Sequence, residues 1–210
     1  MLSKLYSAST FGTEAYLLEI EVDVTQGLPA VSVVGLPDAA VKESRDRVKS
    51  AIKNCGYEYP TGRITVNLAP ADIKKEGSSF DLPIALGILA SSGQIPQETL
   101  KDFVFLGELA LDGKIRWVNG VLPIALFLRN SPINKLMVPK ENAYEAAVIK
   151  EVDVYPVESL KEVIYLLSNF LEKKPLKLEM NELIQKKEYD VDFSEVKGQH
   201  LAKRAMEVAA

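Results

Sequence analysis

The stretch "KKEGSSFDLPIALGILA", Lys74–Ala90, sets a charged run against a glycine corner, two serines, an aspartate and then an unbroken apolar segment. Gly77 permits a sharp turn, and the residues from about Asp81 to Ala90 have the length and composition of a buried helix. A serine at such a corner stands beside backbone N–H groups able to hold an oxyanion, which is the geometry of a hydrolase. The other reading is a folded corner in which the hydroxyls of Ser78 and Ser79 satisfy free N–H groups of the helix, with Asp81 near its positive end. What separates the two is a base within hydrogen-bond reach of the serine.

Working upstream, "GRITVNLAP" (62–70) is a strand closed by Pro70. "LPDAAVKESRDRVKSAIKNCGY" (36–57) is a helix that Asp38 caps, running to about Asn54 and stopped by Gly56. Val41, Val48, Ile52 and Cys55 share its buried side. Residues 4–37 alternate apolar and polar around turns at Phe11-Gly12 and Gln26–Pro29. They read as three strands in an antiparallel meander, Ala30–Val34 the most buried.

Downstream come strands at "FVFLGEL" (103–109), "KIRWV" (114–118), "KLMVP" (135–139) and "VDVYPV" (152–157). Helices fall between them around Leu122–Leu128 and after Pro139, and "SLKEVIYLLSNFL" (159–171) closes the run. The opening meander makes the class α+β, a mixed sheet with packed helices in two layers, rather than a doubly wound sheet.

The 210 residues, 47% hydrophobic and 26% charged, suit one core with peripheral segments. A net charge of -4 excludes a uniformly basic nucleic-acid binder. One cysteine, Cys55, permits no internal disulfide, and one histidine, His200, builds neither a histidine-rich metal site nor, from its place in the tail, a Ser-His-Asp triad. With no membrane-length apolar run and no signal-like start, the reading is a cytoplasmic protein without membrane contact. On the helix from Asp38, the residues Lys42, Arg45, Lys49 and Lys53 share one side and could contact DNA phosphates, although Glu43 and Asp46 interleave. Trp117 and Tyr16 read as core or interface positions, and the pair Asp72/Glu76 is a weak metal guess.

At Glu172 the composition changes. "EKKPLKLEMNELIQKKEY" (172–189) reads as a linker. "DVDFSEVKGQHLAKRAMEVAA" (190–210) begins a new element, with Leu201, Ala202, Ala205, Met206 and Ala209 at helical spacing. The domains expected are therefore 1–171, a linker 172–189, and 190–210 as the start of another module. Truncation after Leu171 is expected to leave thermal stability unchanged.

The serine stretch, with "LGELALDGKIRWVNGVLPIAL" (106–126) and "INKLMVPKEN" (133–142), resembles the proteolytic domain of Lon proteases. Matching turn to turn puts Ser79 at the serine position and Leu122 where that family has its lysine. A leucine accepts no proton, and Lys114 and Lys135 have no reason to converge on Ser79. The resemblance thus implies a degenerate protease position.

"VSVVGLPDAAVKESRDRVKSAIKNCGY" (31–57), "RITVNLAPADIKKEGSSFDLPIALGIL" (63–89) and "FLGELALDGKIR" (105–116) resemble, in order and spacing, the N-terminal domain of the magnesium-chelatase-like AAA+ family known as YifB or ComM. That resemblance implies a Lon-like fold, shared with a ribosomal-protein domain, as a non-catalytic N-terminal domain followed by an ATPase module. The parent would be a homo-hexamer using ATP and Mg, acting on DNA as a branch-migration motor or helicase in competence or recombination. "FSEVKGQHLAKRAMEVAA" (193–210) is similar to the entry segment of AAA+ modules, which implies that Val196, Gly198 and Gln199 lie beside adenine. No G-x-x-x-x-G-K-[ST] occurs, so no phosphate cradle is present and no cofactor is expected in these residues themselves. The alternatives are a serine hydrolase using Ser79 and a subunit of a metal-chelatase ATPase.

Overall fold

The computed structural model describes residues 1–169, 173–178 and 193–209. It divides into two compact units, Met1–Leu178 and Glu179–Ala210.

The first unit is built on a seven-stranded mixed sheet in the order β3-β4-β2-β1-β5-β8-β9. β1 (Leu2–Phe11) and β2 (Glu14–Thr25) form a long hairpin around the positive-φ Gly12. β2 pairs antiparallel with β4 (Arg63–Ala69). β3 (Ala30–Val34) skips β2 and pairs parallel with β4, so the expected meander is corrected to a hairpin followed by a crossover through α1 (Ala39–Asn54). β3 is also not the most buried strand. It is the sheet's outer strand, with Ala30, Ser32 and Val34 exposed. Val31 and Val33 turn to the core and Ala30, Ser32 and Val34 away from it, and an apolar run alone does not tell a central strand from an edge.

α1 begins where Asp38 accepts the Val41 N–H at 2.8 Å and ends beside the left-handed Gly56, as the sequence reading expects. α2 (Asp81–Ser91) is buried along its whole length, which explains why its sequence is apolar all round. Gly87 lets it lie on the hairpin, since a Cβ there would stand 2.5 Å from Val22 Cγ2. The buried Ser3 hydroxyl donates to the Gly87 carbonyl at 2.8 Å.

The other half of the sheet comes from β5 (Phe103–Phe105), β8 (Lys135–Pro139) and β9 (Asp153–Val157), all parallel. A short hairpin, β6 (Glu108–Leu109) and β7 (Ile115–Arg116), projects between β5 and α3 (Val121–Leu128). α4 (Ala143–Ala147) and α5 (Leu160–Ser168) complete the unit. Alternation along β5, β8 and β9 feeds two cores: Phe103, Phe105, Met137 and Tyr155 join α1, α2 and α5, while Val104, Leu136 and Val154 join α3 and α4. The class is α+β, as expected.

Residues 173–178, assigned by composition to a linker, lie on this unit. The Leu176 N–H donates to the Val154 carbonyl at 2.8 Å, and Leu176 and Leu178 pack on the core beneath β9. Lys173 reaches Glu162 at 3.0 Å and Lys177 reaches Asp153 at 2.7 Å. The rest of the expected linker, 179–189, and the positions 170–172 at the expected boundary lie outside the described residues.

In the second unit, a 3-10 turn at Phe193–Glu195 precedes α6 (His200–Ala209), an amphipathic helix with no buried residue.

Candidate functional site

The serine corner opens into a polar cleft of about 330 Å³. One wall is the end of β1 (Ser9, Thr10), another the corner itself with Ser78 and Ser79, and the third is formed by Glu108, Trp117 and Asn119. Backbone bonds lace the corner to residues 107–109. Gly107 N–H donates to the Ser79 carbonyl at 2.9 Å, and Leu82 N–H donates to the Gly107 carbonyl at 3.0 Å. Asn142, fully buried, pairs with both the N–H and the carbonyl of Val118 at 3.0 and 2.9 Å, fixing the wall that carries Trp117.

The expected cap is not made. The residue preceding α2 is Phe80, and no side chain caps the helix. Ser78 instead donates its hydroxyl to Glu108, whose other oxygen meets Arg116 at 3.4 Å. The contribution of Ser79 to the corner is its carbonyl. The serines sit one and two residues outside the position whose side chain could reach the helix N–H groups, so the geometry of capping is lost.

Asp81 does more than face the helix dipole. It is fully buried and binds Arg47 of α1 through two bonds, Nε–Oδ2 at 2.6 Å and NH2–Oδ1 at 3.0 Å, while Leu109 N–H donates to it at 3.2 Å. Burial pushes the Asp81 carboxyl up to about 6, against the pull of Arg47, and the carboxylate in turn raises the Arg47 guanidinium. A partner 34 residues away on another helix leaves no mark in the local sequence.

Among the described residues no lysine lines the cleft. Lys114 is exposed beside Asp112, and Lys135 stands over the Phe103 ring at 5.5 Å. Leu122 is 43% exposed on α3, and Ile124 is the α3 side chain that reaches the cleft. Sequence reading missed Lys75, a fully buried lysine whose ammonium donates to the Pro70 carbonyl. Burial lowers its basicity, but it too is absent from the cleft wall.

Trp117, read as a core or interface position, is not in the core: it is 50% exposed at the cleft rim, one residue past the end of β7. Tyr16 is half-buried on β2 and donates to the Lys74 carbonyl at 3.3 Å. Among the described residues no cluster of three potential metal ligands forms, around Asp72 and Glu76 or elsewhere. No described helix is long and apolar enough to cross a membrane.

Lys42, Arg45, Lys49 and Lys53 are exposed along α1, as are Glu43 and Asp46. Arg45 and Lys49 line a groove beside β3, with Lys49 5.9 Å over the Tyr59 ring. In the second unit Val196 is 45% exposed, and Gly198 and Gln199 hold consecutive positive φ angles of 71° and 54° just before α6.

Residues 20–142 match the model of the family described as subunit ChlI of Mg-chelatase. The whole chain is 44% identical to the competence protein ComM of Haemophilus influenzae, of which it covers 41%. It is 39% identical to the protein YifB of Escherichia coli, covering 40% of that protein. A weaker likeness, 26% identity over 79% of the chain and 33% of the relative, connects it to Lon protease 2 of Bacillus subtilis and fits the mixed-sheet fold. The chain thus spans about two-fifths of the length of ComM and YifB. With the family model covering more than half of its residues and ComM and YifB aligning along all of them, the chain belongs to the magnesium-chelatase-like ChlI family, in its ComM/YifB group.

Proposed function

We propose that this chain is a non-catalytic Lon-like domain of a magnesium-chelatase-like AAA+ ATPase, a cytoplasmic motor that acts on DNA during competence or recombination. The observation that carries the non-catalytic reading is a serine cleft whose wall holds no described lysine or histidine. Ser78 is held by Glu108, a leucine stands at position 122, and Lys75, Lys114 and Lys135 all lie off the cleft wall. The Ser79 hydroxyl therefore has no described lysine or histidine on the cleft wall to take its proton, and the carboxylate that accepts from Ser78, Glu108, is engaged by Arg116 through its other oxygen. Incubation with casein and with a serine-reactive phosphonate tests this. No cleavage and no labelling are expected, and labelling that disappears in Ser79→Ala would overturn the reading.

The motor reading draws on the Haemophilus relative being a competence protein and on that relative's greater length. In the parent, a homo-hexamer using ATP and Mg, Val196, Gly198 and Gln199 lie beside adenine. The support is local: a glycine and a left-handed residue bring bare backbone and helix N–H groups to one point. Removal of the Gln199 side chain should raise the KM for ATP in the full-length protein, and an unchanged KM would defeat the assignment.

Direct DNA contact through α1 is a second reading, favoured by the four exposed cations on one side of that helix. Charge reversal at Lys42 and Lys53 should then flatten the salt dependence of DNA binding, since each phosphate contact releases counterions. An unchanged slope would place these residues on a solvated face.

A further inference from the structure

The two ends of the seven-stranded sheet are treated differently. At β9 the chain covers its own edge, through the antiparallel bridge between Val154 and Leu176 and the ion pair of Lys177 with Asp153. At β3 no described strand takes the outer side. Open edges are normally blunted with charge, bulges or proline, because unpaired N–H and C=O groups invite another chain. From Gly27 to Pro37 there is no charged residue. Pro29 and Pro37 bracket the segment and leave Ala30–Val34 as the open length.

The two faces of β3 differ in chemistry. Val31 and Val33 pack on the core beneath α1, while Ala30, Ser32 and Val34 are exposed on the opposite face, Val34 at 43%. On the α1 side the edge borders a groove of about 290 Å³ walled by Arg45, Asp46, Lys49 and Tyr59. Arg45 is tethered by its Nε, which donates to the Lys42 carbonyl at 3.0 Å. Lys42 and Lys53 add charge on the same side of the helix, against Asp46 in the groove and Glu43 further round.

We propose that β3 is an acceptor edge for an extended segment of another polypeptide, about five residues long, in which acidic side chains alternate with apolar ones. An added strand takes main-chain hydrogen bonds from the edge and sends alternate side chains to the two faces. Those on the α1 side meet Arg45 and Lys49. Those on the other side lie beside alanine, serine and valine. A basic strand is repelled by the same cations. A second copy of β3 is disfavoured too, because pairing about a two-fold axis would set the cationic edges of two α1 helices on one side of the joined sheet. The inference does not rest on DNA binding by α1.

The test uses the 210-residue chain and two labelled hexapeptides, one alternating glutamate with valine and one alternating lysine with valine. Backbone hydrogen exchange is followed at residues 30–34. The glutamate peptide should slow exchange there roughly ten-fold at saturation, and the lysine peptide should not. In the double variant R45E/K49E, exposed positions whose change leaves exchange in α2 as it was, the preference should reverse. The proposal is overturned if neither peptide protects 30–34, if both protect equally, or if R45E/K49E keeps the original preference. Protection that rises with protein concentration alone would overturn it in favour of a second copy. Equal protection by a single-stranded oligonucleotide would overturn it in favour of nucleic acid.

Discussion

Replacing Arg47 by methionine tests whether charge fastens α1 to the serine corner. Asp81 has no exposure, and Arg47 supplies two of its three hydrogen bonds. Removing one partner of a buried pair costs about 3–5 kcal/mol, because a charge is left behind without compensation. The Arg47 side chain is 23% exposed, so water can enter after its removal and the loss should fall near about 3 kcal/mol. For a chain of this size that is a midpoint lower by about 6–12 °C. Replacing both residues, as R47M/D81L, removes the charge together with its cation and should return to within about 1 kcal/mol of the parent.

The pH dependence gives the sharper signature. A carboxyl that stands at about 6 in the folded chain, above its ordinary 3.8, binds a proton that the unfolded chain has released. Its contribution is therefore fully present below pH 4 and is lost as pH rises toward 6, by about 3 kcal/mol at 1.36 kcal/mol per unit. Nearby Glu108 pushes in the same direction as burial, and Arg47 and the Leu109 N–H oppose them. Without Arg47 the carboxyl climbs further, so the R47M deficit should widen toward pH 8 and shrink near pH 5, where a protonated Asp81 needs no cation. Urea denaturation of the parent, both single variants and the double variant at pH 5 and pH 8 measures this. A deficit equal at both pH values, or a double variant as unstable as the sum of the singles, would refute the reasoning.

Gly87→Ala would gain about 1 kcal/mol in an open helix, but its Cβ would stand 2.5 Å from Val22 Cγ2 and 3.2 Å from Leu5 Cδ2. Overpacking of about 1–3 kcal/mol should win, so the urea midpoint falls, and the loss is smaller when Val22→Ala is already present; a stabilised G87A would contradict this packing. Truncation after Leu178 should leave the thermal midpoint unchanged, whereas truncation after Leu171 removes Leu176, Leu178 and two ion pairs and should lower it by several degrees. Equal midpoints would restore the boundary expected from composition. Ser79→Ala should change stability by less than about 0.5 kcal/mol, while Ser78→Ala strips Glu108 of a donor and should cost about 1 kcal/mol; calorimetry showing the reverse order would reassign the two serines.

The elements whose signal is local were legible. Asp38 at one end and Gly56 at the other define α1, and the helix runs between them. Strands at 63–69 and 135–139 and the helix from Asp81 follow from apolar runs with clear stops. What failed was pairing. Ala30–Val34 has the composition of a central strand, and nothing in five residues says whether a neighbour lies on one side or two. The linker was read from charge without periodicity, yet Leu176 needs one backbone bond and one apolar contact to hold a strand edge, too little to leave a period. At the candidate site, Leu122 was singled out only through the resemblance of the turn at Asn119-Gly120 to that of Lon proteases, and the structure sets it 43% exposed on α3, outside the cleft lining. Glu108 as the partner of Ser78, Arg47 as that of Asp81 and the Val118 backbone that Asn142 holds were not legible, because each lies at least 24 residues away in sequence.

Those distant partners make the serine corner a joint between elements of the domain. Residues 78–82 and 107–109 are joined by two backbone bonds, by Ser78 to Glu108, and by the Leu109 N–H to Asp81. Through Asp81 the same corner holds α1, and through Glu108 and Arg116 it holds the β6–β7 hairpin. A lysine at position 122 would contribute to none of these connections, since α3 reaches the cleft through Ile124. Loss of the corner, by contrast, would remove the bonds that tie α2 to α1 and to the hairpin. The corner is thus the part of the cleft on which the packing of the domain depends.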